Sequence, residues 1–214
     1  MATDWARRLR RPRRPAAEDV DWRADTFIVI DLETTGLDPR RDHIVSYGAV
    51  PIRDGRVKTA ESVYGLVHVP GDVPGSSIKF HGLRTQDLDG APPLADCVAT
   101  LDGLIGSHPV VAHCTWIERS FLQKAFRRSY LSFVSPMVDT AVLARRLLDV
   151  DLPPEQAVSL EYAAMELGLP VHSPHHALGD AVTTASVFIA LAGQLERGTT
   201  LTTATLLELS VGRP

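Results

Sequence analysis

Apolar residues change their period partway along this chain. Phe27-Ile28-Val29-Ile30 is an unbroken apolar run that stops at Asp31. Such a run suits a strand buried on both faces, at the centre of a sheet. Ile44 to Ile52 reads as a second strand. Asp54-Gly55 is a turn signal leading to a third strand around Val57–Val69. Short connections between the three predict an antiparallel meander. From Leu94 onward the spacing becomes helical, through Val98, Leu101, Leu104 and Ile105. Val110-Val111-Ala112 reads as a short buried strand. Helical patterns follow over about 115–129, 138–149 and 158–167, the last stopped by Gly168. A final helix is predicted from Ala177 to Leu195. A meander followed by alternating helices and strands predicts an α/β fold with a mixed central sheet flanked by helices.

At 214 residues, the chain is long enough for one domain with tails. The expected division is a flexible Arg/Pro-rich arm over 1–24, a domain over 25–195 and an unassigned short C-terminal tail over 196–214. No stretch approaches the roughly 20 uninterrupted apolar residues of a membrane span. The basic, proline-containing N-terminus has no signal-peptide apolar region. A soluble, cytoplasmic protein with no membrane association is therefore expected. Cys97 and Cys114 form no CxxC pair, so they read as two reduced thiols.

Charge adds a second feature. Residues 1–14 hold six arginines against Asp4, a local +5, so the other 200 residues carry −9 of the formal −4. An acidic body argues against strong general affinity for duplex DNA. A small nucleic-acid site whose acids are neutralised by metal remains compatible with it. The arm reads either as an electrostatic tether or as a solvated tail.

The candidate chemistry begins where the first apolar run ends. In Asp31-Leu32-Glu33, residues two apart on a strand point to the same face. Two carboxylates at the edge of a core repel unless neutralised, and hard oxygen ligands suit Mg²⁺ or Mn²⁺. On this segment alone, metal ligands and exposed strand-end acids are equally consistent. His175-His176-Ala177-Leu178-Gly179-Asp180 opens the last helix. It places an acid in the first turn, where the helix dipole favours one, and a histidine just before it. Imidazole is the side chain that titrates near neutrality. Three carboxylates and a base match the needs of phosphodiester hydrolysis, in which two metals ~3.5–4 Å apart clamp the attacking and leaving oxygens and a histidine takes a proton from water.

Asp31-Leu32-Glu33-Thr34-Thr35-Gly36-Leu37 resembles the first motif of the DEDDh-type 3′→5′ exonucleases. That family includes the proofreading epsilon subunit of bacterial DNA polymerase III, ribonuclease T and oligoribonuclease. Ile78-Lys79-Phe80-His81-Gly82-Leu83 looks like its His-Gly segment before the first helix, and Val138-Asp139-Thr140 like its Asp-Thr segment. Ser159-Leu160 opens the helix before the third motif, and His175 followed by Asp180 is similar to that motif itself. Ordered motifs over about 27–192 are more specific than any one of them. The resemblance implies a ribonuclease-H-like fold and two Mg²⁺ or Mn²⁺ ions in the active complex. It implies Asp31, Glu33, Glu118 and Asp180 as metal ligands and His175 as general base. It places Thr34, Thr35, Gly36, His81 and Ile117 at the terminal nucleotide, with Gly36 letting the backbone come close. Asp139 is read as structural.

The second motif departs from the family pattern. His113-Cys114-Thr115-Trp116-Ile117-Glu118 has cysteine for asparagine, isoleucine for phenylalanine and Glu118 for aspartate. Glu118 is read as a substitute ligand, with a weakened site or loss of cleavage as alternatives. Displacement of a reacting group by about an ångström can cost ~10²-fold in rate. Ile117 removes a ring that could stack on a base, an interaction worth ~1–3 kcal/mol. Thr34-Thr35-Gly36 resembles the proofreading type, which favours single-stranded DNA 3′ ends as substrate and nucleoside 5′-monophosphates as product. A ribonuclease trimming RNA 3′ ends and a catalytically silent nucleic-acid-binding module are the rivals. A free-standing repair or turnover enzyme is expected, with a polymerase or repair protein as a conceivable partner.

Overall fold

β1 (Phe27–Thr34) lies at the centre of a six-stranded mixed sheet. Phe27, Ile28, Val29 and Ile30 are all buried, as their apolar run predicts. β2 (Ile44–Arg53) pairs antiparallel with β1, and β5 (Val110–Ala112) pairs parallel on its other side. β6 (Met137–Asp139) continues the sheet parallel to β5. The computed structural model describes residues 20–211 apart from 149, 151, 152, 154, 155, 197 and 199. Residues 1–19 of the arm expected over 1–24 lie outside the described residues.

The single third strand expected over Val57–Val69 is instead two pieces on the outer edge of β2. β3 (Arg56–Val57) and β4 (Val63–Leu66) are separated by a 3₁₀ turn over Thr59–Glu61. The reason is local: Lys58 to Ser62 offers no apolar alternation, and the Lys58 amide instead donates to the Pro51 carbonyl at 2.8 Å.

Seven α-helices are present among the described residues: α1 (Gly75–His81), α2 (Leu94–Ile105), α3 (Trp116–Arg128), α4 (Thr140–Leu147), α5 (Leu160–Glu166), α6 (Ala177–Leu195) and α7 (Thr203–Leu209). α2 and α3 cover one face of the sheet, packing on Ile28, Ile30 and Leu32. α4 to α7 cover the other, packing on Phe27 and Val29. The odd-numbered side chains of β1 therefore face α6, and Asp31 and Glu33 continue that face. α6 has the length and apolarity of a membrane span, yet it is the central core helix, with Ala181, Ala185, Phe188 and Leu191 buried against the sheet and its neighbours.

The expected domain limits, 25 and 195, are too narrow. Trp22 is fully buried, edge-on to Phe188 at 5.8 Å. Asp21 bridges Thr202, and the Thr203 amide donates to the Val20 carbonyl. Residues expected to form a tail thus fold into α7, with Leu201 and Leu206 in the core. A lone tryptophan between Asp21 and Arg23 gives no periodic signal, and α7 is one Thr-capped turn pair too short to show a stripe.

Candidate active site

The C-terminal ends of the parallel strands β1, β5 and β6 converge on one edge, where ligand crevices form in α/β sheets. Each end delivers an acid. Asp31 and Glu33 close β1, Glu118 sits in the first turn of α3 just after β5, and Asp139 closes β6. A break in the β1–β2 register between Glu33 and Thr34 turns the chain into the Thr34–Gly36 segment.

Asp180 arrives from α6. Gly48 in β2 makes this possible: a Cβ there would lie 2.3 Å from the Leu178 nitrogen and 2.4 Å from the Ala177 carbonyl. Gly179 likewise lets the preceding loop close, since its Cβ would meet the His172 carbonyl oxygen at 2.3 Å. As a result, Asp31, Glu33 and Asp180 each present an oxygen atom within 4.8 Å of the others. Glu118 stands outside that triplet but is the carboxylate that acts most strongly on Asp31. Glu118 is 3% exposed, and its Oε2 has no hydrogen-bond partner. Asp180 Oδ1 is orphaned in the same way.

Burial first, and then mutual repulsion, raises the proton affinity of the whole group. Glu33 is pushed up to about 7 by burial and by Asp180. Asp180 is pushed up to about 6, chiefly by burial. Asp31 and Glu118 are pushed well above the carboxylate range, by burial and then by neighbouring acids. Among the described residues no Lys or Arg forms an ion pair with any of the four. Four crowded oxygen ligands, two with orphaned atoms and none with a counter-charge, fit a hard divalent cation.

His175 is exposed at the mouth of the same cleft, which has a volume of about 570 Å³. Its backbone N–H donates to Asp180 Oδ2 at 2.9 Å, so the loop and the acid are fixed together. Its φ of 59° lies in the left-handed region. The ring meets Phe80 edge-on at 5.8 Å. His176 caps α6 by accepting from the Gly179 amide and stacks on Tyr64 at 4.4 Å.

Thr34, Thr35, Gly36, His81 and Ile117 also line the cleft. The Thr35 hydroxyl donates to Asp42 Oδ1, and the His43 amide donates to the Thr35 hydroxyl. Gly36 is required here for a reason other than the expected approach to a nucleotide. A Cβ on it would lie 2.5 Å from the Asp42 carboxylate. His81 and Gly82 end a helix where a helix start was expected. Gly82 is the left-handed C-cap of α1, with φ 74°. His81 Nδ1 accepts from the Leu83 amide, and burial lowers the basicity of the ring.

Asp139 is structural, as read from the sequence. Its carboxylate accepts from the amides of Cys114, Thr115, Ala141 and Val142 and from the Thr115 hydroxyl. It thereby pins the turn from β5 into α3 and sets where Glu118 begins. His113 is a second strut. Its Nε2 donates to the Val158 carbonyl at 2.7 Å, its Nδ1 pairs with the Thr140 hydroxyl at 2.9 Å, and burial lowers the proton affinity of the ring. Cys97 and Cys114 are both free thiols.

Three participants escaped the sequence reading: Phe80 as an exposed cleft wall, Asp42 as the buttress of the Thr35–Gly36 turn, and Gly48. Only Gly48 carried a usable signal, because glycine inside an apolar strand marks a close approach of another backbone.

Residues 28–188 match the exonuclease family denoted RNase_T. Among curated relatives, the DNA polymerase III subunit epsilon of Aquifex aeolicus is 29% identical over 79% of this chain and 82% of its own length. An epsilon-like protein of Rhodobacter capsulatus is 32% identical over 86% of this chain, which spans 26% of that protein. A PolC-type DNA polymerase III of Thermotoga petrophila is 30% identical over 80% of this chain, which spans only 12% of it. E. coli exonuclease I in complex with a dT13 oligonucleotide superposes with a TM-score of 0.68 at 16% identity, covering 81% of this chain and 42% of that one. Exonuclease X in complex with 5′-overhanging duplex DNA superposes at 0.65 with 23% identity, covering 85% and 99%. With a ribonuclease-H-like fold and a match spanning all four acids, the chain belongs to the RNase_T exonuclease family.

Proposed function

We propose that this chain is a 3′→5′ exonuclease that trims single-stranded DNA to nucleoside 5′-monophosphates. The observation that carries this reading is the buried, uncompensated carboxylate group of Asp31, Glu33, Glu118 and Asp180 beside the exposed imidazole of His175. Asp31, Glu33, Glu118 and Asp180 would hold Mg²⁺ or Mn²⁺, which would supply positive charge at the scissile phosphodiester. His175 takes the proton from the attacking water, its loop held by the hydrogen bond from its backbone N–H to the Asp180 carboxylate. The Thr34–Gly36 turn and His81 hold the terminal nucleotide. Ile117 and the exposed Phe80 and Leu37 supply apolar walls for its base. Together they orient the last phosphodiester for in-line attack.

DNA as substrate is supported by the relatives named as DNA polymerase III and by the oligonucleotide complexes of the structural neighbours. A DNA polymerase is the partner class that follows from the same names. The test uses DNA and RNA oligonucleotides of equal sequence, labelled at the 5′ end. A ladder shortening stepwise on DNA, with RNA left longer, supports the reading. Faster loss of RNA would make the chain a ribonuclease, and release of the 5′ label as a mononucleotide would reverse the polarity.

A further inference from the structure

Ile117, Lys124 and Arg128 lie at i, i+7 and i+11 on α3, so they share one face of the helix. Ile117 lines the catalytic cleft, while Lys124 and Arg128 line a separate notch of about 70 Å³ with His43 and His68. At the helical rise, the two cations stand roughly 10 Å and 16 Å beyond Ile117 along the axis. The notch backs directly onto the substrate turn: the His43 amide bonds Thr35, and the Lys124 ammonium donates to the Asp42 carbonyl at 2.6 Å. The Asp42 carboxylate is committed to the Thr35 hydroxyl and the Asp38 amide. Neither Lys124 nor Arg128 forms an ion pair among the described residues. Burial and then Arg128 lower the proton affinity of Lys124, and burial, Lys124 and Arg128 lower that of His43, with Asp42 acting the other way on both.

Lys124 and Arg128 thus crowd one another on a body that is acidic overall, at a notch whose lining acid, Asp42, is already engaged in hydrogen bonds. A phosphate group relieves their mutual repulsion. Resting on the nuclease reading above, we propose that the notch is a phosphate subsite for the nucleic-acid backbone, gripping the trimmed strand upstream of the scissile bond. A dinucleotide has only its scissile phosphate and cannot fill cleft and notch together. A longer strand running along α3 can.

The experiment measures binding, so it reads the notch whether or not cleavage occurs. Fluorescence anisotropy with EDTA present follows labelled thymidylates of two and eight nucleotides on the full chain. The double variant Lys124→Gln/Arg128→Gln is expected to weaken the eight-nucleotide strand about tenfold and the dinucleotide less than about twofold. Its salt slope should fall by ~0.7 for each lost contact. Arg128→Glu alone, at an exposed position, should weaken the longer strand at least as much and leaves the Lys124 bond in place. Arg56→Ala, an exposed cation on β3, should change neither. Equal losses for both lengths, an equal loss in Arg56→Ala, or no loss at all would overturn the proposal. Absence of cleavage by the unaltered chain with this binding pattern intact would overturn the nuclease reading alone.

Discussion

Gly48 stands directly across the β1–β2 ladder from Asp31, and the start of α6 rests on it. One residue without a side chain therefore brings the Asp180 helix down onto the strand that carries Asp31 and Glu33. Gly48→Ala should push the α6 N-terminus away. A cost of ~1–3 kcal/mol is expected for overpacking at such a contact. Urea denaturation would measure it, and Mn²⁺ titration should show weakened binding in the same variant. Unchanged Mn²⁺ affinity would mean that the helix position does not set the site.

The raised proton affinities of Glu33 and Asp180 give a pH dependence of definite sign. In the unfolded chain both acids ionise near pH 4, but in the folded, metal-free chain they resist ionising until about 7 and about 6. The fold binds these protons more tightly, so these groups favour it most at low pH, and that contribution is lost as pH rises from about 4 through 7. Mn²⁺ removes the penalty. Its stabilising shift in melting temperature should be larger at about pH 8 than at about pH 5. An equal shift at both values would contradict the carboxylate site.

Glu118 is buried with an unpartnered oxygen, a state that costs stability in the absence of a cation. Glu118→Gln should therefore raise the melting temperature in EDTA while lowering exonuclease turnover by ~10² or more. A stable variant with full turnover would show that Glu118 is not a ligand.

Cys114 has φ 61°, where the family pattern has asparagine. Asparagine tolerates the left-handed region far better than cysteine. Cys114→Asn should gain on the order of 0.5–1 kcal/mol, part of the left-handed penalty, in chemical denaturation. A loss of stability would indicate that the thiol's packing outweighs backbone strain.

Trp22 fills the core between Phe188 and Arg23, whose guanidinium lies 4.5 Å above the ring. Trp22→Ala should cost ~3–5 kcal/mol, and truncation before residue 25 should do the same. A truncated chain of full stability would restore the narrower domain.

Legibility in the sequence followed periodicity and charge. The buried run of β1 and the helical stripes of α2, α3 and α6 appear within a residue or two of their expected positions, because burial imposes periods of two and about 3.6. Asp31 and Glu33 by themselves were equally consistent with exposed strand-end acids, and it was the resemblance to the DEDDh motifs that singled out all four acids, Glu118 included. The clasp of Val20, Asp21 and Trp22 with Thr203, Thr202 and Leu201 depends on contacts between distant segments, which leave no local pattern. The Gly36–Asp42 and Gly48–Leu178 approaches are tertiary in the same sense. The split of β3 from β4 is local by contrast, set by the missing apolar alternation over Lys58 to Ser62 and the Lys58–Pro51 bond across the hairpin.

The central claim is that the carboxylates clustered at the end of β1 are the catalytic metal site. Its most direct test is hydrolysis of a 5′-labelled single-stranded DNA oligonucleotide by the unaltered chain and by Asp31→Asn, side by side in Mn²⁺ and in EDTA. Stepwise shortening by the unaltered chain in Mn²⁺ only, with the Asp31→Asn lane left at full length, is the predicted result. Equal shortening by both proteins would contradict the claim.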